Sequence, residues 1–529
     1  MADPSGEHVR FLRLIWVDVS GIRRCRCVPL HGGARRDGGE SWAVNLNHSS
    51  QARKRLWVHH TSRVALVCYF LPSYGDEALA DGAWLQGDVI LSPAMGPMSV
   101  AELPGSCDWV STTVIHENRY LQTTKTRGKT ELQRHSWCPR TLLSGALERL
   151  ERVFGMTMQV GFETEFVLLD PETRRGLESS VYCQTSGFDV AADVLREMVR
   201  ALHACGQTVL HVHGESAPGQ FEIVTAHTDD VLGQADAFVI RKEVIQRVAR
   251  KHGLLASFLP KIWTTAGGTG CHVHWSLKRR AASRGTMGGR VGEGTTEGER
   301  DGEDLLYGVV GRDVADFMVG VLENIDGLLL HTVGSPNSWR RVQPGCWAGA
   351  YACWGVQNKE ALLRVIDAGA NHVEFKAFDG TANPYLGLSA LICAGMAGMA
   401  TGGAGGGAQT NGEGEVRSES GLMRACRLPP PVGQDPQHLG NEKRLPTDSY
   451  EQLVKASLGR HIEEKLVRAT DEGNMEHQWR ESMRGHCSGD VDEAFQAFFE
   501  DFARVKMAEV ERFKDMSFED EVELLLDRY

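Results

Sequence analysis

Four short segments each set two polar side chains two residues apart inside an apolar run. They are Gly161-Phe162-Glu163-Thr164-Glu165-Phe166, Gly219-Gln220-Phe221-Glu222-Ile223, Gly270-Cys271-His272-Val273-His274-Trp275 and His372-Val373-Glu374-Phe375-Lys376. Written as β-strands, residues i and i+2 share a face, so each polar pair points together. Phe162, Phe166, Phe221, Val273 and Phe375 then cover the opposite face and demand that it be packed. A further carboxylate, Glu215, lies in the turn His213–Glu222 that feeds the second strand. A lone Glu-x-Glu reads as a solvated strand face, and a lone His-x-His as two hydrogen-bonded histidines. Together, and with apolar backing, they read differently: buried carboxylates are costly unless cations sit between them. Carboxylates with one or two imidazoles suit Mg²⁺ or Mn²⁺ rather than structural zinc, which prefers thiolates.

The elements that must position these residues are legible in outline. Val9 to Val19 and Ile22 to Pro29 alternate as strands about a turn at Asp18–Gly21, which predicts a hairpin. Short strands and turns continue to about Arg134, and Trp137-Cys138-Pro139-Arg140 then opens an amphipathic helix predicted over Thr141–Phe154. This change divides the chain into an N-terminal domain, 1–135, and a second domain, 136–529. Two polar, glycine-rich stretches, 278–304 and 402–420, read as surface insertions. The run Leu386–Ala404 is long enough to span a bilayer, but its Ala, Gly and Met content and missing flanking charges predict a buried helix. Further helices are predicted at Ala494–Phe513 and Phe518–Tyr529.

Composition narrows the class. The 529 residues are 42% hydrophobic and 24% charged, enough for a large core and two domains. A formal net charge of −12 argues against a general nucleic-acid binder, which needs a basic surplus. The polar start has no signal-peptide core. The 13 cysteines are scattered without a Cys-x-x-Cys, which suits reduced thiols. A soluble, cytoplasmic protein with no membrane partner is expected.

The order and wording of the motifs resemble the glutamine synthetase family over nearly the whole chain. The resemblance is carried by Gly161–Phe166, Glu215–Glu222, Gly267–Leu277, Asn337-Ser338-Trp339-Arg340-Arg341, Asn358-Lys359 to Arg364, and Glu374-Phe375-Lys376 with Asn383-Pro384-Tyr385-Leu386. It is nearest in wording to the type I-like domains of fungal and plant proteins. The resemblance implies an α+β fold, with an N-terminal β-grasp domain and a catalytic domain built on a curved antiparallel sheet flanked by helices. It implies two to three Mg²⁺ or Mn²⁺ ions, one held by Glu165, Glu215 and Glu222 and another by Glu163, His272 and Glu374. It assigns His274, Ser276, Lys359 and Arg364 to the ATP side, and Gly268, Arg341 and Lys376 to glutamate. Arg341 matches the residue that grips the substrate carboxylate, and Arg364 the one that faces the transferred phosphate. The implied activity is an ATP-dependent ligase that forms a γ-glutamyl amide through γ-glutamyl phosphate, with ammonia or an organic amine as nucleophile. A large homo-oligomeric ring with active sites between subunits is also implied.

The chain departs from the family pattern on the amine side. A glutamate is usual in the flap where this chain has Trp347, within Pro344-Gly345-Cys346-Trp347-Ala348-Gly349. An ammonium-binding aspartate has no match around Ala43–Ser50, while Lys359, Lys376 and His372 replace other basic residues. Lysine keeps charge but loses the planar fork of arginine. All six expected ligands are present, while the loss of the flap glutamate and of the aspartate falls on the amine side. Three readings remain beside glutamine formation: Trp347 lines a site for an organic amine through cation–π contact or stacking, the protein is a catalytically silent structural relative, or another carboxylate is the substrate, since Lys376 replaces an arginine near glutamate.

Overall fold

Strand Met156–Leu169 is buried on nearly every residue from Val160 onward, as only a strand at the centre of a sheet can be. Everything else in the catalytic half is arranged about it. In the computed structural model the described residues are 10–30, Ser73, strand segments between 41 and 134, and 138–529 apart from 281–308, 368–370, 403–428, 441, 467–473 and 485–490. The two glycine-rich insertions therefore lie almost wholly outside the described residues, except that Lys278 and Arg279 complete a strand.

The N-terminal part contributes β1 (Arg10–Val17), β2 (Arg23–Leu30), β3 (Ser41–Leu46), β4 (Lys54–His59), β5 (Arg63–Ala65), β6 (Asp88–Pro93), β7 (Val100–Glu102), β8 (Thr112–Thr123) and β9 (Thr130–Arg134). β1 and β2 form the expected antiparallel hairpin, and β1 also pairs in parallel with β8. The hairpin turn is closed by the buried carboxylate of Asp18, which accepts from the backbone N–H of Ser20 (3.0 Å) and Ile22 (2.9 Å). Asn383 donates to the carbonyls of Val17 and Asp18 at 3.2 and 3.0 Å, so the hairpin is tied to the catalytic half.

The catalytic half runs α1 (Pro139–Phe154), β10 (Met156–Leu169), α2 (Thr185–Ala204), β11 (Val209–Gly214), β12 (Gln220–Thr225), α3 (Val231–Lys251), β13 (Leu255–Ser257) and β14 (Val273–Arg279). It continues with α4 (Arg312–Glu323), α5 (Ile325–Thr332), β15 (Tyr351–Val356), β16 (Ala361–Asp367), β17 (His372–Phe375) and α6 (Pro384–Gly402). The helices α7 (Tyr450–Leu466), α8 (Met475–Met483), α9 (Val491–Phe513) and α10 (Phe518–Leu525) complete it. α6 is buried among α1, α4, α5 and α8, as its small apolar residues require. α9 begins earlier than the predicted Ala494, and α10 stops at Leu525 rather than Tyr529. The last residues turn inward, and the Tyr529 hydroxyl donates to the carbonyl of Ser20 at 2.8 Å.

One sheet carries the site, in the order β11-β12-β10-β14-β17-β16-β15, with β13 pairing the C-terminal end of β10. It is antiparallel, as expected, except that β15 and β16 run parallel. Its back face is aromatic: Phe162 stacks on Phe238 with centroids 4.8 Å apart and meets Phe378, while Phe166 meets Phe221 and Phe258. Within that face, the fully buried guanidinium of Arg241 on α3 donates to Thr164 (2.7 Å), Thr225 (2.6 Å) and Gln207 (3.0 Å). Thr164 and Thr225 neighbour the front-facing residues of β10 and β12, so Arg241 pins both strands from behind.

Phe162→Ala should cost about 3–5 kcal/mol of stability, the usual range for a buried aromatic cut to alanine. Urea unfolding monitored by circular dichroism measures this. A loss below about 1 kcal/mol would show that the aromatic layer does not support the sheet.

Candidate active site

Strand register gathers the polar residues on the front face. Glu165 on β10 is opposite Glu222 on β12, which is opposite His213 on β11. One rung on, Glu163 is opposite Val224, which is opposite His211. On the other side, Gly161 is opposite His274, His274 is opposite Glu374, and Glu374 is opposite Arg364 on β16. Paired residues point to the same face, so side chains more than 200 positions apart in sequence converge. A cleft of about 700 Å³ on this face is lined by all six predicted ligands together with Gly268, Arg341, Lys359, Arg364 and Lys376.

The Glu163, His272 and Glu374 donor atoms lie within 4.8 Å of one another. His272 Nδ1 is 3.2 Å from Glu163 and 3.0 Å from Glu374, and His274 Nε2 is 2.8 Å from the other oxygen of Glu163. Burial works to raise Glu163, but hydrogen bonds from His272 and His274 hold its carboxyl far below the ordinary range. Glu374 is likewise opposed by burial and held low by His272 and Lys376. Burial and Lys376 push the His272 imidazole down, yet its bonds to Glu163 and Glu374 carry it above its usual value.

The other predicted set is arranged differently. Among the described residues, the second group of donors close enough to share an ion is His211, His213 and Glu222, not Glu165, Glu215 and Glu222. Glu165 turns to Gln220 Nε2 and the backbone N–H of Gly270, both at 2.8 Å, and Glu215 turns to His213 Nε2 at 2.9 Å. Glu165 and Glu215 thus each take a nearby donor, while Glu222 has His213 Nε2 at 3.9 Å. Glu222 is pushed up to about 10 by burial and by the charges of Glu163, Glu165, Glu215 and Glu374. Burial also raises Glu165. A wall of carboxylates with one imidazole beside it is a donor set that fits hard divalent cations.

The cationic groups sit at one end. Lys376 Nζ is 2.9 Å and Arg364 Nη1 3.2 Å from opposite oxygens of Glu374. Arg341 Nη2 donates to the carbonyls of Lys376 and Phe378, both at 3.0 Å. The buried Nε of Arg341 and of Arg364 has no hydrogen-bond partner among the described residues. Such donors match an anion brought by a ligand. The neighbouring Arg340 does not reach the cleft; it forks onto Glu521 at 3.0 and 2.9 Å. Two glycines make the approach possible. A Cβ on Gly268 would come 2.4 Å from Arg341 Cγ, and one on Gly270 would come 3.0–3.2 Å from Glu165, His272 and Arg341 together.

His274 and Ser276 line a second hollow of about 430 Å³, which shares Glu163 and His211 with the first, together with Gln159, Phe162 and His372. The predicted ATP-side residues are therefore split: His274 and Ser276 here, Lys359 and Arg364 in the first cleft. Trp347 stands on the rim, 54% exposed, with φ +53°. Its backbone N–H donates to Glu360 at 3.1 Å, and Lys359 Nζ lies over its ring at 4.7 Å. Lys359, not a ligand, is thus the cation on this ring. Sequence reasoning missed His211 and Glu360. The first had a signal, the His-x-His of Val209–His213; the second had none, since a lone glutamate after Lys359 reads as solvated.

A family model described as glutamine synthetase, catalytic domain, matches residues 136–445, more than half of the chain. The "Type-1 glutamine synthetase 1" of Dictyostelium discoideum is 24% identical over 98% of this chain and 90% of that protein. The "Gamma-glutamylpolyamine synthetase" of Streptomyces coelicolor is 28% identical over 75% of this chain and 77% of its own. A solved structure titled "Apo GmaS without ligand" shares the fold, with TM-score 0.65 over the whole of both chains at 20% identity. With this cleft and this match, the chain belongs to the glutamine synthetase family.

Proposed function

We propose that the protein is an ATP- and Mg²⁺-dependent ligase that forms a γ-glutamyl amide through γ-glutamyl phosphate, of the glutamate–ammonia ligase type. The observation that carries this reading is the wall of carboxylates meeting Arg341 and Arg364, whose buried Nε atoms await an anion. The family uses ATP and divalent metals. A silent structural relative would have no use for Glu222 and Glu165 at such a cost in burial.

Cations bound by Glu163, His272 and Glu374, and by Glu222 with Glu165 and Glu215, would neutralise phosphate charge. The chain's own groups do the rest. His274 and Ser276 hold the nucleoside end in the second hollow, so the phosphates reach past Glu163 toward Arg364. Arg364 and Lys376 now neutralise Glu374, and are positioned to turn to the transferred phosphoryl group once a cation takes their place. Arg341, whose Nη2 is held by the carbonyls of Lys376 and Phe378, keeps its Nε–H for a glutamate carboxylate. A γ-carboxylate oxygen bonds to the terminal phosphorus as ADP leaves. The amine nitrogen then bonds to the carbonyl carbon, phosphate leaves with the C–O electron pair, and the nitrogen loses a proton.

A second reading, with an organic amine as nucleophile, is supported by the half-exposed Trp347 at the cleft rim. Lys359 engages the ring, so an amine would meet the remaining exposed surface, and its cation would be repelled by Lys359. That repulsion disfavours a simple cation–π site and suits a neutral or apolar portion of the amine.

Two outcomes are expected. Phosphate release from Mg²⁺-ATP should require glutamate and one amine from a panel that includes ammonia; release without glutamate, or none with any amine, would overturn the ligase reading. The second concerns Glu222, whose carboxyl is raised from 4.5 to about 10, so that the metal-free fold loses stability as pH rises between those values. Glu222→Gln removes that loss and should raise the metal-free melting temperature at neutral pH by about 2–4 °C. The stabilisation by Mg²⁺, about 2.7 kcal/mol for the parent at a hundredfold excess over Kd, should shrink in the variant. Unchanged melting and an unchanged Mg²⁺ effect would contradict the placement of Glu222 in a cation site.

A further inference from the structure

We infer that the edge strand β11 adds a distinct transition-metal site, formed by His211, His213 and Glu222, which takes a borderline ion such as Zn²⁺ or Co²⁺. Nothing in this inference depends on ATP or glutamate. The two imidazoles are residues i and i+2 of one strand and share its front face, with ring centroids 5.8 Å apart and planes 29° from parallel. Beyond a register shift between Val209 and His211, His213 is opposite Glu222 and His211 opposite Val224 on β12. His213 Nε2 is 3.9 Å from Glu222 Oε1, and the three donor atoms lie within 4.8 Å of one another. Tetrahedral zinc with bonds near 2.1 Å places its ligands about 3.4 Å apart. The widest pair must therefore close by at most about 1.4 Å, within reach of side-chain rotation on an exposed edge. Tyr182 packs edge-on against the His213 ring at 5.7 Å and limits its rotation. Glu215, 2.9 Å from His213 Nε2, is the nearest fourth donor.

Donor chemistry separates this site from the carboxylate wall. Mg²⁺ prefers oxygen and loses its water reluctantly, whereas two imidazoles and a carboxylate favour Zn²⁺ and its neighbours. Glu222 and Glu215 can serve one ion with Glu165 or another with the two histidines, but not both at full occupancy. A bound transition ion on β11 thus competes with Mg²⁺ for shared carboxylates and raises the Mg²⁺ requirement of the cleft.

The test is zinc titration of the full-length, chelator-stripped protein by calorimetry in a large excess of Mg²⁺. One Zn²⁺ per chain should still bind. His211→Ala should weaken that binding by more than about 100-fold, beyond the cost of losing a mere outer partner of a ligand. His211→Gln should do the same, and both should melt like the parent because His211 is exposed at a sheet edge. In the parent, but not in the variants, Zn²⁺ should lower the apparent Mg²⁺ affinity. No zinc binding in excess Mg²⁺, or equal zinc affinity in the parent and both variants, would overturn the site.

Discussion

Five carboxylates that repel one another are held on one face of one sheet, and the rest of the molecule is organised around that repulsion. The two halves of the group resolve it unequally. Glu163 and Glu374 are compensated by His272, His274, Lys376 and Arg364, and their carboxyls stay ionised. Among the described residues, Glu165, Glu215 and Glu222 take their hydrogen bonds from Gln220, one backbone N–H and His213, with the charges of His272 and Arg341 near Glu165. Burial there works against charge, so this half has the greater electrostatic demand for a divalent ion.

The fold supplies the opposing free energy from behind. Phe162, Phe166, Phe221 and Phe375 alternate with the polar residues and are almost wholly buried, which anchors each strand through the face that does not carry charge. Arg241 adds a polar clamp to that apolar layer, with its hydrogen bonds to Thr164 and Thr225 fixing the spacing of β10 and β12. Glycine permits the close approach of Arg341 from the loop side, since any Cβ at position 268 would collide with it. Preorganisation of this kind lets charged groups stabilise developing charge without moving first.

Much of this was legible in the sequence, because period-two alternation states which side chains share a face without stating which strands are neighbours. Glu163 with Glu165 and His272 with His274 could be assigned to common faces from spacing alone. The meeting of Glu222 with His213 could not, because it depends on pairing register between β11 and β12. The side-chain turns were illegible for another reason. Glu215 and Glu165 choose partners according to the charges around them, and that choice separates the Glu165, Glu215 and Glu222 set the family pattern implies. Trp347 was visible as a departure, but its engagement by Lys359 arises from a flap whose path includes a positive φ. The end of α10 moved because the helix yields to the inward turn that buries Tyr529.

The central claim is that this cleft moves a phosphoryl group onto a side-chain carboxylate before an amine displaces it. Isotope transfer tests that claim most directly. Glutamate labelled with oxygen-18 in its γ-carboxylate is turned over with Mg²⁺-ATP and the productive amine, and the released phosphate is analysed by mass spectrometry. The account predicts one oxygen-18 atom in each phosphate released. Unlabelled phosphate from an otherwise active enzyme would contradict it.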